Sequence, residues 1–170
     1  MELHENALSQ DGYIIDQRQT ENIPFGSITS DKNGCGWIAA YNFLRAMDRD
    51  PDPEQTLRAL EKTLLLGGRL GLHLFALAAY IRRQGIPLEC TLRPFHAQML
   101  AETCTAGIVL YRAGKTNHFA AFRREPDGRL RFFGAEAGNA RDVTSLAAFY
   151  EAHVRFPVAL VMTAKESVGC

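Results

Sequence analysis

The chain has 170 residues, 46% of them hydrophobic and 22% charged, the length and composition of one soluble globular domain with a single sizeable core. Lysine plus arginine number 19, as do aspartate plus glutamate, so the balance is zero and offers neither the basic footprint of a nucleic-acid binder nor an acidic tail. The short pairs Arg82-Arg83 and Arg123-Arg124 read as solvated faces. The N-terminal MELHENALSQDG carries acids and no apolar run, unlike a signal or transit peptide. The most apolar stretch, residues 70–81, is too short to cross a bilayer and runs straight into Arg82. A cytoplasmic location with no membrane and no nucleic-acid partner is expected; the oligomeric state is not legible.

Cys35, Cys90, Cys104 and Cys170 are far apart and form no C-x-x-C pair, so no disulfide framework is expected. The histidines (His4, His73, His96, His118, His153) show no ligand spacing with them, so neither a metal nor another cofactor is expected.

In chain order, residues 1–11 read as a loose tail, and residues 12–16 could form a short strand. Residues 17–34 are polar and rich in turn formers, a long loop that leads into Cys35. From Cys35 to Met47 the apolar residues Trp37, Ile38, Tyr41 and Leu44, with flanking alanines, recur at helical spacing. Asp50-Pro51 stops that helix. Asp52 is a good N-cap, Pro53 suits the first helical position, Gln55 sits where a capping-box partner would, and a second helix should run to about Leu66. A third is expected over 71–84, with Gly85 as its C-terminal stop.

The second half reads mainly as strands: 88–92, then a short helix from Pro94 to about Ala101, then 107–111, and 118–123. Pro126-Asp127-Gly128 is a hairpin turn, and the returning strand covers 129–135. Thr144 or Ser145 caps a helix to about His153, residues 156–163 form a last strand, and 165–170 read as a loose tail. Helices followed by an antiparallel sheet make an α+β class, in one domain spanning 1–170.

Cys35 lies between Gly34 and Gly36 at the mouth of the first long helix. A helix N-terminus presents N–H groups and the positive end of the macrodipole, and this favours thiolate over thiol. The glycines admit a substrate carbonyl close to the backbone, where the Cys35 N–H could serve as an oxyanion donor. Taken alone, a cysteine is more often a small buried hydrophobe. His118 opens a strand after the polar turn Lys115-Thr116-Asn117, a rigid mount for an imidazole that takes a thiol proton and returns it to a leaving amine. His73 reads as a core or lining residue, and His96 and His153 as exposed helix positions. Trp37 either packs beneath the site or lines it. Phe119, Phe122, Phe132 and Phe133 should fill the sheet core. The run 67–71 is glycine-rich but has no Walker ending, which leaves phosphate binding unsupported.

The segments NGCGWIAAYNFLRAM and NHFAAFRREPDGRLRFFGAEAG resemble the papain-like cysteine peptidases, nearest to their minimal bacterial branch, which includes the bacteriocin leader (double-glycine) peptidases. The resemblance spans residues 13–163 in element order. It implies a papain-like fold, a helical half with its central helix starting at the nucleophile and packed on an antiparallel sheet. It implies Cys35 as nucleophile, His118 as base, and a peptide or protein substrate. The family's orienting Asp or Asn falls at Gly134, which has no side chain, so Glu136 and Asn139 are the candidates for that role. The family's oxyanion glutamine falls at Thr29; Thr29, Ser30 or Asn33 could substitute, with Asn33 favoured. Two classes of function follow: a hydrolase working through an acyl-thioester, with acyl transfer or deamidation using the same parts, or a non-catalytic module that binds a peptide or partner in the old cleft.

Overall fold

The computed structural model describes the chain apart from residues 2, 69–70, 114–115, 135–138, 144, 154–159 and 165–170, with backbone alone at 113, 134, 139–143, 152–153 and 160–164. After a 3₁₀ turn at Glu5–Ala7 and another at Gln17–Thr20, strands β1 (Pro24–Phe25) and β2 (Ile28–Thr29) form a small hairpin. Then come α1 (Ser30–Asn33), α2 (Cys35–Ala46), α3 (Pro53–Glu61), a 3₁₀ segment Leu65–Gly68 and α4 (Leu74–Arg83). The second half is β3 (Leu88–Thr91), α5 (Pro94–Thr103), β4 (Ala106–Ala113), β5 (Thr116–Arg124), β6 (Leu130–Gly134), β7 (Asn139–Val143), α6 (Leu146–His153) and β8 (Leu160–Ala164).

The architecture is α+β. Six strands form one antiparallel sheet in the order β3-β8-β4-β5-β6-β7. Side chains alternate across a strand, and both faces of this sheet are covered. Ala106, Ile108, Phe119, Ala121 and Phe133 join the core built by α2, α3 and α4. Val109, Tyr111, Ala120, Phe122 and Phe132 join the core under α5 and α6. The four sheet phenylalanines are all buried, as expected. Helix α2 is apolar nearly all round and buried over Gly36–Ala46 except at Arg45, the pattern of a central helix. It packs directly on β5.

Local chemistry explains the helix boundaries. Asp52 caps α3 by accepting the Gln55 N–H at 2.7 Å, and Pro53 occupies the first turn. Asp52→Ala is expected to lower stability by about 1 kcal/mol, read as a fall in the thermal midpoint. Helix α3 stops at Glu61 rather than near Leu66: the Thr63 and Leu64 N–H groups turn to the i−3 carbonyls of Leu60 and Glu61, Leu64 bridges Leu72, and Leu66 (φ 49°) and Gly67 (φ 63°) then take left-handed conformations. Helix α4 likewise begins only at Leu74, after Gly71 at φ 75°. Gly85, at φ 79°, follows its end as expected.

Two expectations are corrected. Residues 12–16 form no strand; a lone bridge joins Leu8 and Ile14, and the buried Asn42 amide pairs both backbone groups of Ile14 at 2.8 Å, the bonds a partner strand would have made. Within the stretch 1–11, Ala7 is fully buried and Leu8 bridges Ile14. The stretch 17–34 is not one irregular loop but a 3₁₀ turn, a hairpin and α1. Strand β7 was not expected, since NARDV lacks the apolar alternation of a half-buried strand and pairs at the sheet edge.

Candidate active site

The site begins with how the chain enters α2. Helix α1 and helix α2 meet at Gly34, which keeps a right-handed conformation (φ −76°, ψ −7°). The Gly34 N–H donates to Ser30 O at 2.6 Å, and the ladder of α2 opens with Ile38 N–H to Gly34 O at 3.0 Å. The N–H groups of Cys35, Gly36 and Trp37 precede that bond, at the helix mouth. Cys35 is half-buried and packs at the margin of the larger core.

Ser30 organises this entry. It is fully buried; its N–H donates to Ile23 O at 2.8 Å, and its Oγ accepts the Trp37 indole N–H at 2.7 Å. A Cβ on Gly34 would lie 2.9 Å from Trp37 Nε1 and nearer still to Ser30 Oγ and O. The glycine is required here by crowding, not by its φ. Trp37 is fully buried, so it packs beneath the site and does not line it. Gly36 lies against Leu72, whose Cδ2 would be 2.7 Å from an added Cβ.

Asn33 does not present an open oxyanion donor. It is 8% exposed, its Nδ2 is buried without a hydrogen-bond partner, and a Cβ on Gly68 would lie 2.8 Å from that nitrogen. The Gly68 backbone covers the amide. Of the other substitutes for the family glutamine, Thr29 gives its hydroxyl to Asp31, and the Ser30 hydroxyl accepts from Trp37 inside the core.

His118 stands near the start of β5, opposite Tyr111 of β4, with ring centroids 5.9 Å apart. Its Nε2 lies 2.8 Å from Thr116 Oγ1, its Nδ1 is buried, and the residue is half-buried. Strict register along β4 and β5 gives His118 the same face as Ala120 and Phe122, the α5–α6 side, while Phe119 and Ala121 meet the α2 side. Asn33, Gly34, Cys35, Gly36 and Trp37 are thus gathered in one turn, and His118 is mounted on the strand against which that helix packs. Asn139 opens β7 directly opposite Gly134. Glu136 lies outside the described residues. His73 precedes α4, with its ring 5.5 Å from the exposed Phe75, and His96 meets Glu89 at 3.3 Å. Among the described residues no cluster of His, Cys, Asp and Glu could hold a metal, and no helix is long and apolar enough to cross a membrane.

Sequence reasoning missed Gln17, Gly68 and Leu72. Their signal is spatial: each touches the entry to α2 from a separate stretch of chain. The hairpin before α1 is tied by the Gly26 N–H, which donates to Glu61 Oε1 at 2.9 Å. That bond, then Arg58, holds the Glu61 carboxyl below its ordinary range against some desolvation. A depressed folded value means the stabilisation is present above the unfolded glutamate value and is lost as pH falls through the folded one. Acid should therefore weaken the hairpin, and Glu61→Gln should flatten the acid limb of stability against pH in denaturant titrations.

By sequence, neither a protein-family model nor a curated protein matches the chain. Solved structures do. The peptidase domain of Streptococcus ComA, a bifunctional ABC transporter of a quorum-sensing pathway, superposes with a TM-score of 0.57 at 10% identity, over 79% of this chain and 93% of that one. The fold is that of a papain-like peptidase domain. A double glycine motif protease from an AMS/PCAT transporter, solved with its leader peptide, gives 0.53 at 11% identity, over 77% of this chain and 84% of that one. The helical half, the central helix and the sheet expected from the resemblance are all present in this papain-like fold.

Proposed function

We propose that the protein is a cysteine peptidase that cleaves an amide bond through an acyl-thioester on Cys35, with His118 as general base and acid. The observation that carries the reading is Cys35 at the mouth of a buried central helix packed on the His118 strand, within a fold shared with two peptidase domains. In the first step the Cys35 sulfur bonds to the substrate carbonyl carbon while His118 takes the thiol proton. The C–N bond then breaks, and the imidazolium gives that proton to the leaving amine. Water adds to the thioester carbonyl, losing a proton to His118; the C–S bond breaks, and the proton returns to sulfur. Helix-mouth N–H groups would take the charge on the carbonyl oxygen. Because His118 shares a face with Ala120 and Phe122, its ring would have to meet the thiol around the end of β5. One neighbour holds a leader peptide, which favours a peptide substrate here, and Glu136 or Asn139 would orient the imidazole.

A second reading is a peptide-binding module without catalysis. It is favoured by Gly134 at the family's orienting position and by the sheet face His118 occupies. Acid-quenched mass spectrometry with a panel of activated peptide esters separates the two. The peptidase forms an acyl adduct on Cys35 that decays in water. A protein that binds the panel yet never acylates is the module.

A further inference from the structure

Gln17 is distant from Cys35 in sequence, yet its side chain is inserted where the helical run 30–46 is interrupted. It is 7% exposed, and its Nε2 donates to Ser30 O at 3.0 Å and to Asp31 O at 2.8 Å. Gln17 is itself fixed, its carbonyl accepting the Thr20 hydroxyl at 2.6 Å. In an unbroken helix, Asp31 O is the i−4 acceptor for the Cys35 N–H, and Ser30 O is that for Gly34. Ser30 O does accept Gly34 N–H, yet the run breaks at Gly34, and α2 starts anew at Cys35 with Gly34 O accepting the Ile38 N–H. Side chains that enter the i→i−4 ladder are a recognised cause of such breaks.

We propose that Gln17 is a positioning residue for the proposed thiol chemistry. It holds the Ser30 and Asp31 carbonyls so that α2 starts afresh at Cys35, with its first N–H groups turned to the thiol and substrate. This rests on the peptidase reading, because a helix mouth aimed at Cys35 has a use only if that thiol reacts. Without Gln17, α1 and α2 would merge into one continuous helix, the fresh helix start at Cys35 would be lost, and the local field favouring thiolate would weaken.

The test compares Gln17→Met, of similar volume but without donors, with wild type and with Thr56→Val, which removes a buried hydroxyl that Tyr80 donates to at 3.2 Å, well away from the site. Iodoacetamide labelling of Cys35 is followed against pH, with thermal unfolding in parallel. The expected result is a labelling midpoint raised by about one pH unit in Gln17→Met and unmoved in Thr56→Val at a matched loss of stability. Single-turnover acylation should fall about tenfold with little change in KM. If Gln17→Met fails to fold, Gln17→Glu, which keeps the shape and loses the donors, is expected to give the same displacement. An unmoved midpoint in whichever variant folds, or an equal movement in Thr56→Val, overturns the role of Gln17. A wild-type Cys35 that labels like an ordinary thiol overturns the parent reading instead.

Discussion

Cys35→Ala is expected to fold normally and to lose peptide hydrolysis by about four orders of magnitude or more, since a covalent route with no nucleophile leaves only the environment of the site. The side chain is half-buried at a core margin, and alanine is the best helix former, so removing the sulfur should leave the melting curve nearly unchanged. No other described cysteine could substitute. Cys104 is 4% exposed, inside the core under α5 and α6. The Cys90 thiol is pushed up from its ordinary value, chiefly by desolvation and against the pull of Arg82. Single-turnover cleavage beside a thermal melt checks both halves. Wild-type turnover in Cys35→Ala would remove this thiol from the chemistry.

Gly34→Ala is expected to have a large structural effect for a single methyl. Its Cβ would press on Ser30 and on the indole nitrogen of Trp37, both fully buried and hydrogen-bonded to each other. Overpacking of this kind costs about 1–3 kcal/mol. For a chain of this size that is a fall of roughly 2–12 °C in the thermal midpoint. Cys35 follows directly, so its displacement should cut kcat as well, by about a hundredfold if the thiol moves on the order of 1 Å. The melt and the single-turnover rate should fall together. A Gly34→Ala protein as stable and active as wild type would mean that the Ser30–Trp37 clamp yields freely.

Much of this architecture is legible from short-range signals. Asp52-Pro53 announces α3, Gly85 ends α4, the GIVLY run announces β4, and Pro126-Asp127-Gly128 turns β5 into β6. Each depends on residues adjacent in the chain. Cys35 at the head of α2 is readable for the same reason. What was not readable depends on distant partners. Asn42 replaces a strand for Ile14, and Gly68 seals Asn33, making a candidate oxyanion donor into a covered amide. Gln17 stands in a stretch that reads as loop, yet it clamps α1. The face His118 occupies was also hidden, because it follows from the register of β4 with β5 and from which helices cover each side. Edge strand β7 has a polar sequence with no period-two signal, so only its pairing with β6 reveals it.

The union of a thiol and an imidazole is tested most directly by the pH dependence of Cys35 alkylation, measured in parallel on the wild-type protein and on His118→Ala. With the pair formed, wild-type labelling has its midpoint at least about one unit below the ~8.5 of a free cysteine, and the variant moves it upward. Superimposable profiles for the two proteins would contradict it.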